Sequence, residues 1–238
     1  MLRKSRKIKK NRSWWSRFLI LFLVIVLLTL SQVFIFGYVK PPLTIPVAKA
    51  WVAYALNLGA RPQSHQWVAL KEFSPHLRRA VLASEDQRFL RHYGFDFIEL
   101  GQALRSLHEG GALRGASTIS MQTARTMFLW PARSWLRKFG EAYYTLCLEL
   151  VWSKEKILEF YLNSVDWGPG IHGGEAAALK YFNCHALDLD AGQAALLAAV
   201  LPGPHLWRPD RPTAAVKRRG KRILKEMEKV SLVGDSSF

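Results

Sequence analysis

From Phe18 to Val39 the chain carries no charge, and most of its side chains are apolar. At ~1.5 Å per residue, a helix over this run reaches about 33 Å, enough for a hydrocarbon core of roughly 30 Å. A cleaved signal peptide has an apolar stretch of about 7–15 residues that ends at small residues. Tyr38-Val39-Lys40-Pro41-Pro42 offers no such ending. The pattern predicts an uncleaved transmembrane helix, with Trp14 and Trp15 at one edge and Tyr38 at the other as an interfacial belt.

Beyond a proline-containing juncture the pattern changes to helical spacing. Ser74-Pro75 reads as an N-cap followed by the first helical position, opening a helix to about Glu85. Further helices are predicted over Phe97 to Leu107, Ser117 to Phe128, Ser134 to Trp152, Ser153 to Asn163 and Glu175 to Phe182. Asp190-Ala-Gly-Gln193 fits a capping box ahead of Ala194 to Leu201, which Pro202-Gly203-Pro204 stops. A basic helix over Arg218 to Val230 ends the series. Trp51 to Leu58 is a short apolar segment, and the glycine-rich stretches His108 to Gly115 and Asp166 to Gly174 read as loops. No run alternates as a half-buried strand would, so the fold class is mainly α. The chain divides into a basic tail (1–17), a transmembrane helix (18–39), a juxtamembrane segment (40–64) and one domain (65–238).

Charge adds an orientation. Residues 1–17 hold eight basic side chains and no acid, half of the formal net charge of +16. The excess of Lys and Arg on one flank predicts a cytoplasmic tail with residues 40–238 on the far side. Nucleic-acid binding would rest on net charge alone, and half of that charge is explained by its place beside a membrane span. Two cysteines, Cys147 and Cys184, are too few for a disulfide scaffold or a cysteine metal site. Cys147 lies in an apolar helix run and reads as a buried small hydrophobe.

Two glutamates carry the candidate chemistry. Leu77, Val81 and Glu85 recur at i, i+4 and i+8 and share a helix face. A carboxylate on an apolar stripe loses solvation and becomes a better proton acceptor. Glu141 instead follows Arg137 and Lys138 by one turn, with Arg133 a further turn back, and nearby cations hold it ionised. Contrasting surroundings of this kind divide acid and base roles in one site. Ser117 and Thr118 stand at a helix start, where free N–H groups attract anions, and Gln122 and Arg125 share a face. Arg133, Arg137 and Lys138 suit a diphosphate, because guanidinium binds phosphate oxygens as a fork. Ordinary capping and a solvated basic face explain these last two groups more simply when each is taken alone.

Taken in order, the blocks resemble glycosyltransferase family 51, the peptidoglycan glycosyltransferases. The strings are ED-x-x-F-x-x-H-x-G (85–94), G-x-S-T-I-x-x-Q (115–122), R-K-x-x-E (137–141) and YLN…G-x-G…AA…YF (161–182), and the resemblance covers roughly residues 65–210. It is similar to the monofunctional form with one membrane anchor.

The resemblance implies a lysozyme-like large lobe with a small membrane-facing jaw, here around Met127 to Trp130 and Trp135. It implies polymerisation of lipid II into β-1,4 glycan strands with inversion and release of undecaprenyl diphosphate. Glu85 would be the base for the acceptor 4-hydroxyl. Glu141 would help hold the donor diphosphate, directly or through a divalent cation such as Mg2+ or Mn2+, with no obligatory cofactor. Arg125 and Arg133 would stabilise the departing diphosphate, while Ser117, Gln122, Arg137 and Lys138 match donor-side motif positions, and Asn163 stands both as a support for the cleft and as a candidate substrate contact. Asp86, Phe89, His92 and Gly94 look like supports. Implied partners are lipid II, the growing strand, membrane lipid and cell-wall or division proteins, at the bacterial inner membrane. The chain departs from the family at Arg125-Thr126, where Lys-Asn is usual. Two other readings remain open: a membrane-anchored lysozyme-like hydrolase, and a non-catalytic partner in cell-wall assembly.

Overall fold

The computed structural model of the protein describes residues 3–38, 45–63, 66–110, 115–130 and 134–232. The chain divides into two compact units, Met1–Lys40 and Pro41–Phe238. The first is helix α1, Arg3–Tyr38, which runs without a break past the point where charge gives way to apolar residues. Its stretch Trp14–Tyr38 is 25 residues long with mean hydropathy 2.9, sufficient to cross a membrane. Leu19, Ile20, Leu21 and Phe22 there are exposed, which suits lipid and not water. This helix fits a single-pass membrane anchor.

The second unit is built from α2 (Ile45–Ala55), α3 (Pro75–Glu85), α4 (Phe97–His108), α5 (Ile119–Phe128), α6 (Trp135–Val151) and α7 (Lys154–Ser164), then β1 (Asp166–Gly168), β2 (Ile171–His172), α8 (Gly174–Phe182), α9 (Ala191–Val200) and α10 (Ala214–Met227). Side-chain caps explain most of the starts. Ser74 Oγ accepts from His76 N at 3.2 Å, and Pro75 follows it. Asp96 accepts from Ile98 N and Glu99 N, both at 3.0 Å. Ser134 and Ser153 cap α6 and α7, and Asp190 with Gln193 forms the reciprocal box ahead of α9. Each such cap contributes about 1 kcal/mol.

Three expectations from the sequence are corrected. Thr118, not Ser117, caps α5, because its hydroxyl accepts from Met121 N and also donates to Gly94 O at 2.6 Å. This leaves Ser117 outside the helix. The basic C-terminal helix begins at Ala214 behind the Thr213 cap, before Arg218. Its buried stripe, Val216, Gly220, Ile223 and Met227, is sparse among cations and easily overlooked. Asp166 to His172 contains a short antiparallel hairpin, β1 with β2, where a loop was expected. Its turn needs Gly170 (φ +72°), where a Cβ would lie 2.8 Å from Arg61 O. Two or three residues per strand are too few for alternation to register in a sequence.

The core has two halves. Helix α3 packs on α9 and α10, and α5 packs on α6 and α7. Trp167, Phe73, Phe89, Phe160 and Leu77 are wholly buried, each contributing about 1.5–3 kcal/mol by leaving water. The Trp152 and Phe160 rings lie 4.3 Å apart between centroids. Cys147 and Cys184 are both free thiols, and Cys147 is buried. The stretch read as a jaw edge splits in two. Met127 and Leu129 belong to the core, while Trp130 and Trp135 are exposed, beside Leu136 and Phe139 of α6.

Candidate active site

Glu85 is the last residue of α3. Leu77 and Val81 on its face are wholly buried, but Glu85 stands one turn further along, where the helix leaves the core. Its carboxylate is not dry, as the apolar stripe suggested; it meets polar partners. Ser84 Oγ donates to Oε1 at 3.0 Å, Gln122 Nε2 donates to Oε2 at 3.1 Å, and an Arg219 nitrogen stands 3.6 Å from Oε1. The side chain keeps 16 % of its surface, enough for a substrate to reach it.

The next residue fixes this helix end. Asp86 is buried and accepts from Ile119 N at 2.9 Å, so it holds the start of α5 against the end of α3. His92 Nε2 lies 2.9 Å from Asp86 Oδ1. Gly94 (φ +84°) lets the chain pass so close to α6 that a Cβ would sit 2.7 Å from Thr145 Cγ2. These contacts explain the spacing of the 85–94 string. One carboxylate faces the cavity, and the next clamps the element that supplies Gln122 and Arg125.

Glu85 opens into a cavity of about 870 Å³ that is also lined by Gly115, Ser117, Gln122, Arg125, Arg219 and Arg222. Three guanidinium groups therefore share a space with two carboxylates, Glu85 and Glu226. Tyr161 lies beneath, wholly buried. Burial pushes its phenol well above the ordinary value, the charge of Glu85 adds to this, and Arg125 opposes it. The phenol stays protonated and donates to Gln122 Oε1 at 3.4 Å. That donation turns the amide so that its NH2 faces Glu85.

Glu141 occupies a contrasting place on α6. It is wholly buried; Arg137 Nη1 reaches Oε2 and Lys138 Nζ reaches Oε1, both at 2.7 Å. The two neighbouring cations found in the sequence are thus spent on Glu141, and none of these three residues lines the Glu85 cavity. Arg133 lies outside the described residues. Asn163 does not face the cavity either. It is buried, accepts from Val68 N at 3.0 Å and donates to Val68 O and Glu159 O, so its amide staples two chain segments. Asn163 therefore stands apart from the Glu85 cavity, as a support between chain segments.

A divalent cation does not suit Glu141, because both of its oxygens already face cations. Asp86, His92 and Asp96 bring three donor atoms within 4.8 Å of one another. These atoms are committed elsewhere: Asp86 to His92 and Ile119 N, Asp96 to the start of α4 and to Arg88 at 3.0 Å. The cluster reads as a structural clamp.

Sequence reasoning missed Ser84, Arg219 and Arg222. Arg219 Nη2 donates to Ser84 Oγ at 2.9 Å, and Ser84 in turn reaches Glu85. The available signal was that Arg219, Arg222 and Glu226 recur along one edge of α10, and all three line the cavity.

The chain matches the family model described as Transglycosylase over residues 53–228. It is 47 % identical over 203 residues to a biosynthetic peptidoglycan transglycosylase of Rhodospirillum centenum, covering 85 % of this chain and 86 % of that one. It is 49 % identical over 176 residues to a protein of the same name from Bacteroides thetaiotaomicron, covering 74 % and 71 %. A third of that name, from Pasteurella multocida, is 44 % identical over 207 residues, covering 87 % and 84 %. With the cavity, the helical architecture and these matches in agreement, the chain belongs to the transglycosylase family, whose domain is lysozyme-like.

Proposed function

We propose that the protein is a peptidoglycan glycosyltransferase that polymerises lipid II into β-1,4 glycan strands with inversion and releases undecaprenyl diphosphate. One observation carries the reading: Glu85 and Arg125 line one cavity, so a proton acceptor and a fixed cation face the same volume. The acceptor 4-hydroxyl attacks the anomeric carbon of the donor from the face opposite the diphosphate. Its proton passes to Glu85 as the new C–O bond forms and the bond to the diphosphate oxygen breaks. Charge grows on that oxygen, where preorganised cations stabilise it most. Arg125 supplies such a charge, and Arg219 and Arg222 line the same cavity. Ser84 and Gln122 orient the Glu85 carboxylate. Glu141 acts by fixing Arg137 and Lys138.

The apolar helix confines the enzyme to the surface that holds its lipid substrate, with the basic tail in the cytoplasm and the catalytic domain on the outer side of the bacterial inner membrane. The partners of this reading are lipid II, the growing strand and membrane lipid. Incubation with labelled lipid II, and separately with finished cell wall, tests it. Polymer from lipid II is expected, undiminished by a chelator. Soluble fragments from wall, with no polymer from lipid II, would overturn it in favour of a hydrolase.

A further inference from the structure

Five of the cations on α10, Lys217, Arg218, Lys221, Arg222 and Lys225, are exposed. Arg219 is the exception. It falls between Val216 and Ile223 of the buried stripe, three residues after one and four before the other, and its side chain keeps 25 % of its surface. The stripe packs on α3 and α9. Next to Arg219, Gly220 stands so near α9 that a Cβ would lie 3.3 Å from Leu196 Cδ2. Covering a guanidinium in this way is costly unless the charge finds partners. One atom, Arg219 Nη2, donates to Ser84 Oγ at 2.9 Å and stands 3.6 Å from Glu85 Oε1. Ser84 Oγ lies 3.0 Å from the same Oε1. Guanidinium, hydroxyl and carboxylate thus close a triangle at the end of α3.

We infer that Arg219 is a positioning residue for the base, acting through Ser84 to hold the Glu85 carboxylate in its working orientation. The inference rests on the function proposed above. The serine hydroxyl has one proton and two acceptors within reach, Glu85 Oε1 at 3.0 Å and Ala198 O of α9 at 3.3 Å. Without a further contact it can serve either. The bond from Nη2 occupies a lone pair of Oγ and polarises the O–H, which strengthens the bond that the hydroxyl gives. The guanidinium charge draws Oε1 to the same corner. Gln122 of α5 holds the other oxygen, Oε2, at 3.1 Å. A carboxylate tied at one oxygen through α10 and at the other through α5 resists turning about its last bond, and a proton acceptor works only when its lone pair meets the proton. A cation on a solvated helix face would have no bond to Ser84. A cation that served the diphosphate alone would not need one.

The test measures kcat and KM on lipid II for the parent, Ser84→Ala, Arg219→Ala and the double variant, with thermal unfolding of each. Arg219→Ala should lower kcat about fivefold, as Ser84→Ala does, with KM within about twofold of the parent. The double variant should again lose about fivefold, because the guanidinium has no hydroxyl left to act through, whereas independent roles would multiply to about twenty-five-fold. Arg219→Lys keeps the charge and the aliphatic stem, and carries the same cycle with a smaller loss if the alanine variant fails to fold. Losses that multiply, a KM that rises while kcat holds, or a kcat for Arg219→Ala equal to the parent's would overturn the positioning role and leave the polymerase reading intact. A parent that forms no polymer from lipid II would overturn both.

Discussion

Glu85 and Glu141 have the same side chain and opposite surroundings. Glu85 ends its helix at a cavity, takes hydrogen bonds from a hydroxyl and an amide, and has its nearest cation at 3.6 Å. Glu141 is wholly buried, and each oxygen is held by a cation at 2.7 Å. The first keeps an exposed face that an incoming proton can reach, while the second is sealed from solvent and serves as an anion that organises two cations. Availability, more than dryness, separates the reactive carboxylate from the structural one. A buried and fully paired carboxylate strongly resists losing its partner, because the charge left behind has no water to turn to.

Several substitutions would break or sharpen this contrast. Arg125→Ala removes a cation from the cavity, and polymerisation should fall about a hundredfold or more with the melting temperature little changed; an assay with labelled lipid II measures it. Glu141→Ala strands Arg137 and Lys138, and should lose about 3 kcal/mol of stability in denaturant unfolding, although Lys138 is half exposed and can turn to solvent. Ser84→Ala removes one orienting bond to Glu85, worth about 1 kcal/mol, so turnover should drop about fivefold with an unchanged fold.

A third carboxylate lies between the two extremes and gives the smallest effect. Glu175 is buried, accepts from Ala186 N at 2.8 Å and lies 2.6 Å from His185 Nδ1 on the surface. The hydrogen bond to Glu175, then its charge, raises the His185 pKa above 6.5. A raised value means that the charged pair stabilises fully below the ordinary histidine range and fades as pH climbs through the raised one. The melting temperature of the parent should therefore decline as pH rises past the ordinary histidine range, and His185→Gln should flatten that slope.

Much of this was legible in the sequence because it is local. Ser74-Pro75, Ser134, Ser153 and the Asp190–Gln193 box act within one helical turn, and the structure has all of them as caps. The pairing of Glu141 with Arg137 and Lys138 is also local, at i, i+4 and i, i+3. What escaped notice depends on distance along the chain. Ser84 and Arg219 are separated by 135 positions, and nothing in a run of basic residues distinguishes the guanidinium that turns inward from those facing water. Asn163 reaches back 95 positions to Val68, which a motif match alone cannot reveal. The setting of Glu85 was misread for a related reason. Its helical face is apolar, but its position at the helix end places it where that face meets the cavity.

The most direct test of the account is polymer formation from labelled lipid II by Glu85→Gln, with thermal unfolding of the same sample. The amide keeps the shape and hydrogen-bonding capacity of the side chain but cannot take the proton. The account predicts a loss of about a thousandfold in rate with an unchanged melting temperature. A variant that melts like the parent and still polymerises at the parent's rate would contradict it.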